Sequence, residues 1–139
     1  MAQTLKDVMT SNVVSLPAGS SVTEGARAMR DSGIGDVIVT QNNKIAGIVT
    51  DRDITVRAVA EGKNPDQVSL SDICSGNVTS LSSSDDVSKA VQLMRQKALR
   101  RLPIVDNGKA VGIVSIGDLA MEQDSGSALA DISAAKPNT

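Results

Sequence analysis

Two short stretches carry residue types able to do chemistry. The first is Thr50-Asp51-Arg52-Asp53, and the second, 65 positions on (50 + 65 = 115), is Ser115-Ile116-Gly117-Asp118. Each follows a Gly-Ile-Val run and sets a hydroxyl three residues before a carboxylate. Where a strand gives way to a helix, that spacing puts both groups on the first helical turn. Asp53 or Asp118 can accept two hydrogen bonds from a vicinal diol, and Thr50 or Ser115 can meet a phosphate oxygen. The unpaired N–H groups and dipole of a helix start favour an anion. Arg52, and Arg101 with Arg100 ahead of the second stretch, supply cations for a phosphate; Arg101 is the preferred ligand. The competing reading is local: hydroxyl-x-x-carboxylate at a helix start is also a capping box, which satisfies orphan N–H groups with no ligand. The two readings are compatible, since one group can cap while the other faces a ligand.

The elements that must hold these residues come in two copies. Residues 5–54 lie over 70–119 at a constant offset of 65 (70 − 5 = 65) without a gap, and Leu5, Asp7, Val13, Leu16, Met29, Lys44, Gly47 and Asp53 are among those that meet an identical residue. Such self-similarity signals a duplicated unit. Each copy begins with a β-prone run (Asn12–Leu16, Asn77–Leu81) and a turn. A helix follows, with apolar residues Val22, Ala26 and Met29 in one copy and Val87, Val91, Met94 and Ala98 in the other. Ser21 with Glu24, and Asp86, read as N-caps, and Gly33 as a helix stop. Paired strands come next, Asp36–Thr40 with Lys44–Val49 and Leu102–Asp106 with Lys109–Val114, turning at Asn42-Asn43 and Asn107-Gly108. A last helix runs over about Asp51–Glu61 to Gly62, and from about Ile116 through Gln123. The fold class expected is α+β, two β-α-β-β-α motifs at 5–61 and 70–123. Residues 62–69 form a linker and 124–139 a tail, with Ala128–Ala135 a short helix.

Composition excludes several functions. The 139 residues contain no His, Phe, Tyr or Trp and one Cys. Without His, Ser-His and Cys-His nucleophiles, His-ligated metals and the commonest general acid–base are absent, so the chain reads as no enzyme, with no catalytic residue and no metal site. Without aromatics there is no stacking platform for single strands, and 14 basic against 16 acidic residues give a net charge of −2, which argues against nucleic acid. No run is long and apolar enough for a membrane span and no secretory leader is seen, so a cytoplasmic setting is expected. Cys74 stands where the first copy has Met9 and reads as a packing residue, as do Met29 and Met94.

The ending Gly47–Ile54 (GIVTDRDI), its counterpart Gly112–Leu119 (GIVSIGDL), the Val-Met-Thr start at Val8–Thr10 and Leu-Pro-Ile-Val-Asp at Leu102–Asp106 together resemble the CBS (cystathionine-β-synthase-type) motif over about residues 5–123. The chain looks most like the short stand-alone CBS pairs of actinobacteria. That resemblance implies pseudo-two-fold pairing of the motifs, clefts that bind an adenine nucleotide, a regulatory role, and homodimers. Carried onto this sequence, one site would use Asn12, Val13, Asp36, Val37, Ile38, Thr50, Arg52 and Asp53. The other would use Asn77, Val78, Arg100, Arg101, Leu102, Pro103, Ser115 and Asp118. The first departs from the family pattern, having Ile38 where a proline is frequent. Candidate ligands are AMP, ADP, ATP or S-adenosylmethionine, with no obligatory cofactor. Any output would act in trans on a regulated protein. The alternative is a ligand-free interaction module acting by homodimerisation.

Overall fold

The computed structural model describes residues 3–75 and 78–123; the expected helix at Ala128–Ala135 and the site residue Asn77 lie outside them. The described chain runs α1 (Leu5–Val8), β1 (Ser15–Pro17), α2 (Val22–Ser32), β2 (Asp36–Gln41), β3 (Lys44–Thr50) and α3 (Asp51–Ile54), which continues as a π-helical turn over Thr55–Val59. It goes on through α4 (Leu70–Ile73), α5 (Val87–Lys97), β4 (Arg101–Asp106), β5 (Lys109–Ser115) and α6 (Ile116–Gln123). The α+β class stands, but of the β-prone run Asn77–Leu81 expected to open the second copy the described residues form only an isolated bridge at Leu81, not a strand. Among these residues no helix is long and apolar enough to cross a membrane.

Local chemistry accounts for most boundaries. Ser21 Oγ accepts from the Glu24 N–H at 3.1 Å and starts α2, and the Asp86 carboxylate accepts from the Ser88 N–H at 3.3 Å at the head of α5. Gly33 ends α2 at φ 64°, while its counterpart Ala98 ends α5 at φ 54°, a left-handed backbone that a β-carbon disfavours. Asn42 and Asn43 both have positive φ, as do Asn107 and Gly108, the requirement of a two-residue turn that matches strand twist. The buried stripes differ from the expected ones. α2 buries Val22, Gly25 and Met29 and α5 buries Val87, Ala90 and Met94. Ala26 is exposed and Val91 half-buried, because the core-facing arc passes one residue N-terminal of them, and Ala98 is exposed because it caps α5 beyond its last turn.

The chain divides into two compact units, and neither is a sequence repeat. One contains residues 14–78; the other joins the described residues 3–13 to 79–123. In the first, β1 runs parallel to β2 and β2 antiparallel to β3. Its core is Val22, Met29, Val37, Val39, Val49, Ala58, Leu70 and Ile73. Leu70 and Ile73 come from α4, a helix the sequence reading did not expect. Residues of the expected linker dock on the same unit: Val22 N–H donates to the Val68 carbonyl at 2.9 Å and Thr23 N–H to that of Pro65 at 3.2 Å.

The second unit pairs β4 with β5 antiparallel, with Leu81 bridging parallel to Ile104. Its core contains Leu5 of α1 with Leu81, Val87, Met94, Leu102, Ile104, Val114 and Leu119. Even the strand irregularity repeats, between Val39 and Thr40 in one hairpin and between Ile104 and Val105 in the other. A conserved geometry across the outer strand explains the glycine of each Gly-Ile-Val run. Ser75 pairs with Ile48, and Thr10 with Ile113. A β-carbon on Gly47 would lie 2.8 Å from both the Cys74 sulfur and the Ser75 carbonyl oxygen, and one on Gly112 would lie 2.5 Å from the Met9 sulfur. Only glycine lets a second backbone cross this closely.

Candidate functional site

The first junction is built where β3 stops. Thr50 keeps extended angles (φ −106°, ψ 164°) while α3 begins at the next residue. Thr50 Oγ1 accepts from the Asp53 N–H at 3.1 Å, and Asp53 Oδ2 accepts from the Thr50 N–H at 2.9 Å. The Asp51 N–H donates to the Gly35 carbonyl at 3.0 Å, fixing the helix start against the head of β2, where Asp36 pairs in register with Thr50. The Asp53 side chain is only 14% exposed, and its Oδ1 lies 3.8 Å from Arg57 Nε. Arg57 in turn donates from Nη1 to the Ile73 carbonyl at 3.1 Å. The Arg52 side chain is exposed, and its N–H donates to Asp51 Oδ1 at 2.8 Å.

The second junction repeats this geometry. Ser115 N–H donates to Asp118 Oδ2 at 2.9 Å, Asp118 N–H to Ser115 Oγ at 3.1 Å, and Ile116 N–H to the Arg100 carbonyl at 2.9 Å. Arg101 holds the register position opposite Ser115 that Asp36 holds opposite Thr50. The cross-strand residue is thus acidic in one copy and basic in the other.

The same box also starts α1, with Thr4 and Asp7, and α4, with Ser69 and Asp72. Reciprocal capping is therefore a local device this chain uses repeatedly, and the box alone does not mark a ligand site. What sets the two junctions apart is their place at the end of a sheet. A carboxylate offers about four lone-pair directions, so Asp53 and Asp118 each retain acceptor capacity beyond the capping bond.

The remaining candidates divide by role. Val37 and Leu102 belong to the cores; Ile38 is fully buried and Pro103 buried, each on the opposite strand face from its neighbour. Asn12 is exposed and Val13 half-buried, in the unit with the second hairpin, whereas the half-buried Val78 falls in the unit with the first. Arg100 is exposed and Arg101 half-buried. Arg57 was missed by the sequence reading, although Asp53 and Arg57 stand at the four-residue spacing that pairs charges on a helix. Cys74 is half-buried at the edge of the first core, and burial pushes its thiol pKa up, with Asp53 raising it further and Arg57 opposing. Among the described residues no group of His, Cys, Asp and Glu is placed to hold a metal.

Comparison with known proteins fits this architecture. The model of the CBS domain matches twice, over residues 5–59 and 70–124. The CBS domain-containing protein YhcV of Bacillus subtilis is 38% identical over 133 residues, covering 93% of this chain and 94% of its own. Hypoxic response protein 1 of Mycobacterium tuberculosis is 25% identical over 118 residues, 84% of this chain and 82% of its own. Its crystal structure, which holds two coordinated zinc ions, superposes with a TM-score of 0.77 at 24% identity, covering 85% of this chain and 97% of that one. A hexameric CBS-CP12 protein from bloom-forming cyanobacteria gives 0.81 at 24% identity, covering 89% of this chain and 70% of that one. This chain belongs to the CBS-domain family and contains the domain twice.

Proposed function

We propose that the chain is a cytoplasmic regulatory module, not an enzyme, that binds an adenine nucleotide through its two strand-to-helix junctions and passes occupancy to a protein acting in trans. The observation that carries this reading is the duplicated junction at the sheet ends. A hydroxyl and a carboxylate, Thr50 with Asp53 and Ser115 with Asp118, recur with matching hydrogen bonds and matching ties to the neighbouring strand. In this reading the carboxylates accept from the ribose hydroxyls, and the hydroxyls and first-turn N–H groups face the phosphate. Arg52, Arg100 and Arg101 supply positive charge. Charge-assisted hydrogen bonds contribute about 1.5–3 kcal/mol each, and with no aromatic stacking the affinity expected is modest, with Kd roughly 1 µM to 1 mM.

Titration calorimetry with AMP, ADP, ATP and S-adenosylmethionine tests the reading, supported by thermal shift, since a ligand that binds only the folded state raises the melting temperature. Heat and a shift from at least one of them, reduced by Asp53→Ala or Asp118→Ala, are expected. Silence from all four at millimolar concentration would refute it.

Self-association is a second reading, and exposed apolar side chains favour it. Val56 is 42%, Val59 63% and Ile116 51% exposed, the first two on the π-helical turn. Light scattering that returns the mass of two or more chains supports this reading; a monomer across the micromolar range removes it.

A further inference from the structure

The first junction carries a basic residue that the sequence does not repeat in the second. The Arg57 guanidinium stands between two groups, 3.8 Å from Asp53 Oδ1 through Nε and bonded at 3.1 Å to the Ile73 carbonyl through Nη1. Ile73 ends α4, and the next two residues form the segment that crosses β3 over Gly47, with the Cys74 sulfur packed where a glycine β-carbon would be. Asp53, Arg57, Ile73 and Cys74 all lie in the compact unit 14–78. In the second copy the counterpart of Arg57 is Glu122 (57 + 65 = 122) and that of Cys74 is Met9 (74 − 65 = 9). The sequence thus provides a basic residue and a thiol at these positions in the first copy alone.

We infer that Arg57 is a positioning residue that couples the first junction to the crossing segment Ile73–Ser75, so that the state of that segment sets the affinity of the Thr50/Asp53 site. The inference rests on the nucleotide-binding reading above. Asp53 must present its carboxylate to a ligand while keeping its capping bond to Thr50, and the guanidinium beside Oδ1 holds the carboxylate in that orientation. The same guanidinium is anchored by a backbone carbonyl, so displacing Ile73 displaces Arg57, and with it Asp53. Added bulk at Cys74 has no free space on the Gly47 side and is expected to shift the segment. Coupling of this kind is reciprocal: a bound ligand must restrain the segment by as much as the segment restrains the site.

The test uses the full chain carrying Asp118→Ala, so that nucleotide binding reports the first junction. Nucleotide affinity is measured by calorimetry before and after carbamidomethylation of Cys74 with iodoacetamide. Alkylation is expected to weaken binding by about fivefold or more, the lower end of ordinary coupling. In an Arg57→Ala background the starting affinity is lower and alkylation changes it no further, whereas Arg57→Lys restores part of both. Equal affinity before and after alkylation overturns the inference, as does a loss that persists unchanged in Arg57→Ala. If the unsubstituted chain binds nucleotide and the Asp118→Ala chain does not, the first junction is no site and the inference falls while the broader reading stands. If the unsubstituted chain binds none, both fall. A circular dichroism melt of the alkylated protein separates coupling from unfolding.

Discussion

The two copies fasten the segment before their long helix to the sheet by different chemistry. In the first, the Ile38 N–H donates to the Val14 carbonyl at 2.9 Å and the Ala18 N–H to that of Thr40 at 2.8 Å, which makes Ser15–Pro17 a strand parallel to β2. In the second, Pro103 replaces Ile38 and has no N–H to offer the Thr79 carbonyl. Pairing there is reduced to the bridge at Leu81 and Ile104. A side-chain clasp stands beside it: Ser82 Oγ and the Ser83 N–H both donate to Asp106 Oδ1 at 3.1 Å, and Ser83 Oγ donates to Oδ2. The first copy has Pro17, Ala18 and Gln41 at these positions and cannot form it. A repeat can therefore preserve its register to the bulge while replacing backbone bonds with charged side-chain bonds.

Substitutions at the crossing glycines should break the comparison most. Gly47→Ala sets a β-carbon 2.8 Å from the Ser75 carbonyl, which is backbone and cannot swing away, whereas Gly112→Ala first meets the flexible Met9 side chain and has the Thr10 carbonyl a little farther off at 3.0 Å. Urea denaturation should show a loss of about 3 kcal/mol for Gly47→Ala, the upper part of the range for overpacking, and a smaller one for Gly112→Ala. Equal losses would mean the two crossings are energetically alike. Next in size is the exchange at the ladder. Ile38→Pro removes a buried hydrogen bond and should cost about 1–3 kcal/mol. Pro103→Ile should gain about 1 kcal/mol by restoring the missing donor, with hydrogen exchange showing a newly protected amide at residue 103.

The helix stops give a smaller, opposed pair. Ala98→Gly should raise stability by about 1 kcal/mol, and Gly33→Ala should lower it by a similar amount, because both positions hold left-handed backbone. Thermal melts that move the same way for both would refute this. The smallest effect concerns acid. Hydrogen bonds from the Ser83 side chain and backbone hold the Asp106 carboxyl below its ordinary pKa. A depressed folded-state pKa means the unfolded chain binds the proton first, so the clasp's contribution is full above the ordinary aspartate range, about 3.9. It is lost as the pH falls through the folded value. Asp106→Asn should flatten that part of the pH–stability profile without affecting stability changes elsewhere, and Gln41→Asn should leave the profile as it is.

Much of this was legible in the residues because it is local. Asn42-Asn43 and Asn107-Gly108 prescribe their turns; Ser21, Asp86, Thr50 and Ser115 prescribe helix starts; Gly33 prescribes a stop. The constant offset of 65 already implied two equivalent hairpins and two equivalent junctions. What failed was reading which residue of a helix faces inward, as with Ala26 against Gly25, since a small residue carries almost no hydropathy signal. The partnership of Asp53 with Arg57 was available as a spacing, but the carbonyl of Ile73 that anchors Arg57 is sixteen residues away in sequence.

The amino-acid sequence by itself determined the duplicated motif, the family it belongs to, and the capped junctions with their hydroxyl and carboxylate. Tertiary structure alone decided which unit each short helix joins. Leu5–Val8 packs with the second hairpin and Leu70–Ile73 with the first. One turn of helix is not stable in isolation, so its partner is selected by the apolar pocket that Leu5 or Leu70 fills. The same is true of the crossing segments, whose path depends on a glycine far along the chain that leaves room for a backbone. It also decided that Arg57, anchored on the distant Ile73 carbonyl, stands beside the carboxylate of the first junction.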